Sequence, residues 1–268
     1  MLGSALIVFR EVFEAALIVG IVLAATQGVP RRSFWIALGI AGGVFGAGLV
    51  AAFAETIAGA AEGFGQEYFN ATVMFIAVGM LTWHQVWMSK HGREMAKHMS
   101  EVGKSVKDGG QPLYVLAVVV GAAILREGSE AVLFLYGIAA SGGDSQAQLI
   151  GGGLIGLLGG VVCGAALYLG LLRIPTRQLF AVTGWMIILL AAGMASQGAA
   201  FLVQAGVLPA LGDQIWNTSS FLAQDSMLGR VMHTLVGYDA RPAGIQLVFY
   251  GVTLVSIISL SKWIARKQ

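Results

Sequence analysis

Apolar residues in this chain come in long runs, with polar residues gathered between them. Seven runs reach the roughly 20 mostly apolar residues that a helix needs to cross a bilayer: 3–26, 34–54, 68–88, 113–139, 149–172, 179–203 and 244–263. In lipid, a spanning segment must satisfy its own backbone hydrogen bonds, and a helix does so. The pattern therefore predicts an all-α, polytopic membrane protein with seven transmembrane helices. The first and fourth runs are interrupted by charge, yet are too apolar elsewhere to be loops.

Composition agrees. Of 268 residues, 57% are hydrophobic and 11% charged, against about 25% charged in a soluble domain. A disordered chain is excluded, and a water-soluble globule very nearly so; the expected surroundings are the lipid bilayer. The net charge of +2 gives no reason to expect nucleic acid as a partner. The single cysteine, Cys163, rules out a disulfide framework and a cysteine metal site. The N-terminus lacks the basic segment of a signal peptide, and Arg10 and Glu11 interrupt its apolar run, so it reads as the first span.

The loop charges alternate. Twelve Lys and Arg residues fall in one set of loops and the C-terminal tail, and two, Arg230 and Arg241, in the other set. The positive-inside rule then predicts an outer N-terminus and a cytoplasmic C-terminus, in what reads as a bacterial cytoplasmic (inner) membrane.

The chain also repeats itself. Arg10-Glu11-Val12-Phe13-Glu14 in the first run matches Arg126-Glu127-Gly128-Ser129-Glu130 in the fourth, and Gly79-Met80 in the third matches Gly193-Met194 in the sixth. Three spans per copy is an odd number, so the second copy enters from the opposite side. That is a three-plus-three inverted repeat, with a binding site expected where the halves meet. The division is 1–90 for the first half, 91–112 for a cytoplasmic linker, 113–206 for the second half, 207–242 for an extracytoplasmic loop and 243–268 for the seventh helix and tail. Gly152, Gly156, Gly160 and Gly164 recur every four residues in the fifth run, and Gly39, Gly43 and Gly42, Gly46 do so in the second. Such stripes let helix backbones approach closely, within the chain or, alternatively, between copies in a homo-oligomer.

The charges inside the spans carry the chemistry. At helical spacing, Glu11 and Glu14 share a face and Arg10 can pair with Glu14; Arg126, Glu127 and Glu130 repeat the arrangement. Each mid-membrane charge costs about 2.5–3.5 kcal/mol on insertion scales, so six facing lipid would cost roughly 15–20 kcal/mol. They must face inward. Two Arg offset only two of four Glu, which argues against simple salt bridges and for a cation held by Glu11, Glu14, Glu127 and Glu130, with Arg10 and Arg126 orienting them. Carboxylates suit hard cations.

With these two motifs in matching spans, the chain resembles the iron permease family over essentially its whole length. Trp216-Asn217-Thr218-Ser219, Asp225-Ser226-Met227-Leu228-Gly229 and Gly237-Tyr238-Asp239-Ala240-Arg241-Pro242 extend the likeness. The resemblance implies a permease rather than an enzyme. It would import iron as substrate, expected as ferric ion, with no permanently bound cofactor, and would often be fed by a surface or periplasmic iron oxidase or iron-binding protein. It also implies that the four glutamates handle the iron. Fungal members carry an extracellular Asp-Ala-Ser-Glu before the last span, which this chain lacks; outer capture would fall to Glu62, Glu67, Asp213 or Asp225. Import of manganese or protons would use the same carboxylates. A membrane-embedded di-metal oxidase would more usually show Glu-x-x-His, and the near-span histidine, His84, reads as close to the cytoplasmic end.

Two further stretches yield expectations. His84, His91 and His98 are seven apart, with Glu94 and Glu101 on the same stripe. If the third helix continued into the cytoplasm, His91, Glu94 and His98 could receive an exiting metal, although Gly92 and Gly103 argue against a continuous helix and a solvated face is the plainer reading. Residues 218–235 read as a short amphipathic helix at the outer surface, with Asp225 as an internal cap.

Overall fold

The structure, a computed structural model, describes residues 1–60, 65–140, 145–170, 176–224 and 226–265. Helices follow in the order α1 (Leu2–Ala25), α2 (Arg32–Ala60), α3 (Gln66–Lys107), α4 (Tyr114–Ala140), α5 (Gln146–Tyr168), α6 (Thr176–Gln204), α7 (Met227–Val236) and α8 (Gly244–Ala265), with no strand among the described residues. Four segments are long and apolar enough to cross a membrane by length and composition alone: Arg32–Ala54, Gln146–Tyr168, Ala181–Gln204 and Gly244–Ile264. α1 and α4 have the length as well, but each carries one Arg and two Glu midway.

The apolar faces show where lipid lies. The spans of α2, α5 and α8 are only 22%, 22% and 17% buried, against 61% for α6, so α6 is central and the other three are peripheral. Phe45, Leu158, Val162 and Val252 are all exposed. Apolar exposure on this scale does not suit water, and the chain is an integral membrane protein.

The long contacts run crosswise: α1 lies along α5 and α2 along α4, while α3 packs on α6 and α1 meets α4. Glycine makes both crosswise contacts possible. A Cβ at Gly156 would stand 2.4 Å from the Ala5 carbonyl oxygen and 2.7 Å from the Phe9 nitrogen; at Gly39 it would stand 2.6 Å from the Ala117 oxygen. Both stripes are thus used within the chain. Gly156→Leu is expected to separate α1 from α5 and sharply reduce the yield of monodisperse protein in size-exclusion chromatography. Gly151→Leu, on a side with open space, should extract like the wild type. Equal yields from the two variants would show that the close approach does not hold these helices together.

Turns and caps join the helices. Gly28 (φ 92°) and Arg31 (φ 61°) make the tight α1–α2 connection, and Arg32 Nη1 donates to the Leu23 carbonyl at 2.6 Å, satisfying one of the last acceptors of α1. A reciprocal capping box between Ser145 and Gln148 opens α5.

Two elements depart from the sequence reading. α3 is one helix of 42 residues, unbroken at Gly92 and Gly103. A mid-helix glycine costs only about 1 kcal/mol, and packing outweighs that here: Met99, Val102 and Val106 are buried, and a Cβ at Gly103 would stand 2.6 Å from Ala25 Cβ. The expected helix over 218–235 begins only at Met227, capped by Ser226 Oγ, which accepts from the Gly229 N–H at 2.9 Å. Upstream, the Thr218 N–H donates to the Ala240 carbonyl at 3.0 Å and Gln224 Oε1 accepts from the Ala240 N–H at 3.0 Å. These bonds tie the segment to the loop before α8 instead of into a helix. Asp225 lies outside the described residues.

Two apolar clusters fill the interior. The first includes Ile7, Leu81, Phe134, Ile187 and Ile257; the second includes Val22, Met99, Leu116 and Val120. Along α1, α3 and α4 alike, the chain passes from one cluster to the other, and on each the polar residues lie between.

Candidate metal site in the helix bundle

Each motif occupies a single helix face, so one turn of α1 presents Arg10, Glu11 and Glu14, and one turn of α4 presents Arg126, Glu127 and Glu130. The α1 set is wholly enclosed: Arg10, Glu11 and Glu14 are 3%, 1% and 2% exposed. Within it, Arg10 Nε lies 2.9 Å from Glu14 Oε1. On α4, Arg126 Nε lies 3.1 Å from Glu130 Oε1 and 3.7 Å from Glu127 Oε1, and its guanidinium sits 4.1 Å over the Trp87 ring, a cation–π contact. Glu127 is buried, but the Arg126 and Glu130 side chains are 31% and 19% exposed. The site is sealed on its α1 side and partly open on its α4 side.

His84 enters from α3. It is 2% exposed, although its neighbour Trp83 is one of the exposed residues of that helix. Its Nδ1 meets Glu130 Oε2, and its Nε2 stands 3.7 Å from Glu14 Oε1. The Phe134 ring packs against the imidazole edge-on at 6.4 Å between centroids.

One donor atom from each of Glu11, His84, Glu127 and Glu130 lies within 4.8 Å of all the others, close enough to hold one ion. Neither oxygen of Glu11 makes a hydrogen bond, and Glu127 Oε2 and His84 Nε2 make none. Both oxygens of Glu14 and Nε and Nη1 of Arg10 likewise make no hydrogen bond. Buried polar atoms rarely stay unpaired; so many in one small volume indicate that something other than the protein completes them. An apolar cavity of about 480 Å³ lies among α1, α2, α4 and α5, with Glu11 and Glu127 as its charged lining.

The six motif residues predicted from sequence therefore come together. Glu14 is ion-paired with Arg10, although neither of its oxygens makes a hydrogen bond; the group of four that could hold one ion contains His84 and not Glu14. Sequence reasoning put His84 near the cytoplasmic end. The signal that would have found it was a lone imidazole inside an apolar run, read instead as the start of a stripe. Of that stripe, Glu94 and His98 are exposed, Glu101 stands 3.9 Å from Lys97 on the solvated face, and the side chain of His91 lies outside the described residues. Among the outer candidates, Glu67 is half-buried in the first turn of α3 and Asp213 is exposed, and neither joins a metal-competent group; Glu62 lies outside the described residues.

Comparison with known proteins gives a consistent picture. The ferrous iron permease EfeU of Escherichia coli O6:H1 is 30% identical over 257 residues, covering 93% of this chain and 91% of that protein. The protein of the same name from Shigella sonnei is 30% identical over 254 residues, covering 93% and 91%, and that from Yersinia pestis is 28% identical over 259 residues, covering 95% and 91%. No solved structure matches. Residues 1–264 match the Iron permease FTR1 family. A match that runs through both charged motifs and on to the last helix places this chain in the iron permease FTR1 family, as a transporter and not an enzyme.

Proposed function

We propose that this protein imports iron through the cluster of Glu11, His84, Glu127 and Glu130, with Arg10 and Arg126 holding the neighbouring carboxylates. The observation that carries the reading is the convergence of those donors, within 4.8 Å of one another, in the interior of a membrane protein where an uncompensated charge is costly. The transported species we favour is ferrous ion. The resemblance to the iron permease family implied ferric ion, while the carboxylates by themselves imply only a hard cation. The relatives named above are ferrous iron permeases, and the imidazole makes the donor set less hard than the motifs alone suggested.

The same reading includes seven crossings (α1 to α6 and α8), two inverted halves, an outer N-terminus and an inner-membrane location. The crosswise packing of α1 on α5 and α2 on α4 supports the halves, since exchanging them maps one contact onto the other. Iron is cargo; as ferrous ion it would be handed over outside by an iron-binding partner, whereas an oxidase partner belongs with the ferric alternative. Alternating access suits such symmetry.

The test is uptake of radioactive iron into proteoliposomes, with ferrous and ferric ion compared across an imposed pH gradient. Ferrous uptake above protein-free vesicles is expected. Uptake of ferric ion alone would overturn the oxidation state, and uptake of neither would overturn the function.

A further inference from the structure

The four glutamates by themselves do not account for selectivity. Carboxylate oxygens are the ordinary ligands of magnesium and calcium, which a bacterial iron path must refuse. The donor that differs is His84, the one nitrogen in a group otherwise made of oxygens.

Its surroundings suit a metal ligand. A hydrogen bond at one ring nitrogen, often to a backbone carbonyl or a carboxylate, fixes the tautomer and leaves the other nitrogen for a second partner. Here Nδ1 meets Glu130 of one motif, while Nε2 faces Glu14 of the other at 3.7 Å and makes no hydrogen bond. The ring is fixed from the side by Phe134, and Leu81, one turn earlier on α3, is fully buried. The imidazole thus stands between the two motifs, rigid, buried and short of a partner on the nitrogen that faces Glu14.

We propose that His84 is an inner ligand of the transported ion and the residue that selects first-row transition metals over magnesium and calcium. This rests on the carboxylate site proposed above. Magnesium demands near-octahedral oxygen at short range and gives up water reluctantly, and calcium takes six to eight oxygens. Neither gains from an imidazole, whereas ferrous ion does. Replacing one oxygen position by nitrogen therefore weakens the site for the abundant hard cations without weakening it for iron. Glu130, which meets Nδ1, fixes the ring, as a carboxylate beside a ligating histidine commonly does, and Nε2 is the nitrogen left without a hydrogen bond.

The experiment uses the full chain, purified in lipid nanodiscs, with Mn²⁺ as a paramagnetic probe. Pulsed electron paramagnetic resonance of the bound ion should show ¹⁴N coupling, and growth on ¹⁵N-labelled histidine should convert it to the ¹⁵N pattern; neither measurement needs a variant. In His84→Gln the coupling should vanish while Mn²⁺ still binds. In proteoliposomes, Fe²⁺ uptake by this variant should fall, and the uptake that remains should be inhibited by magnesium or calcium at concentrations at least about tenfold lower than for the wild type. Absence of nitrogen coupling in the wild type, or unchanged competition in a His84→Gln protein that still takes up iron, would overturn the role of His84 and leave the carboxylate site standing. Wild-type Mn²⁺ binding and Fe²⁺ uptake in Glu11→Gln and Glu127→Gln would instead remove the carboxylate site itself.

Discussion

Glu11→Gln should abolish iron uptake while leaving the protein as stable as the wild type, or more so. Glu11 is 1% exposed and neither of its oxygens makes a hydrogen bond. An ionised carboxylate in that position is a burden on the fold, because burying a charge without partners is expensive. A neutral amide of the same shape relieves it. The same exchange removes a donor from the group with His84, Glu127 and Glu130. Loss of a neighbour that merely orients a metal ligand costs about 10–100-fold in affinity or activity, so loss of a ligand is expected to cost at least about 100-fold. Transport and stability moving in opposite directions is the signature of a residue kept for function against the interest of the fold. Uptake and thermal unfolding in detergent, measured on one preparation, decide the matter. Wild-type uptake, or a clear loss of stability, would mean that Glu11 is structural.

Arg10 should behave in the opposite way. Its Nε lies 2.9 Å from Glu14 Oε1, and both side chains are almost fully enclosed. Arg10→Met leaves the Glu14 carboxylate buried without its guanidinium, and breaking a buried pair from one side costs about 3–5 kcal/mol. Against a total stability of about 5–15 kcal/mol, that predicts little folded protein. The double variant Arg10→Met with Glu14→Gln should recover part of the stability, because Glu14 is then no longer a stranded charge while Glu11 still lacks the neighbouring guanidinium, yet remain poor in uptake. Arg126→Met should be milder, because Glu130 keeps a second partner in His84 Nδ1. Unfolding temperatures of the three variants test this. If the single and double variants at Arg10 melt alike, the pair contributes nothing to the fold.

The parts of this molecule that a sequence reader can see are those where charge stands against an apolar background. Arg10, Glu11 and Glu14 are conspicuous because nothing polar adjoins them in their run, and their repetition at Arg126, Glu127 and Glu130 ties two distant helices to one place. The small-residue stripes are equally plain, since Gly152, Gly156, Gly160 and Gly164 keep one spacing. His84 was less visible for a physical reason: an imidazole is only moderately polar, and with His91 and His98 downstream it continues a pattern that belongs to water. The unbroken course of α3 was also hidden. Gly103 weakens a helix taken alone, and its real effect, room for Ala25 of α1, depends on a neighbour that no local pattern specifies. The late start of α7 is of the same kind, because the segment before it bonds to Ala240 across the loop.

The crosswise packing has a consequence for how the chain is made. α1 leaves the ribosome first, carrying Arg10, Glu11 and Glu14, but the helix that lies along it, α5, and the motif that faces it, on α4, come later by more than a hundred residues. At synthesis rates of about 5–20 residues per second, the 116 residues from Arg10 to Arg126 take about 6–23 seconds. Until α3 brings His84 against Glu14, the first motif sits in or beside the membrane with the Arg10–Glu14 pair to neutralise it, and until α4 follows it lacks the second motif. The newborn first half therefore carries buried-type charges before the helices that enclose them exist.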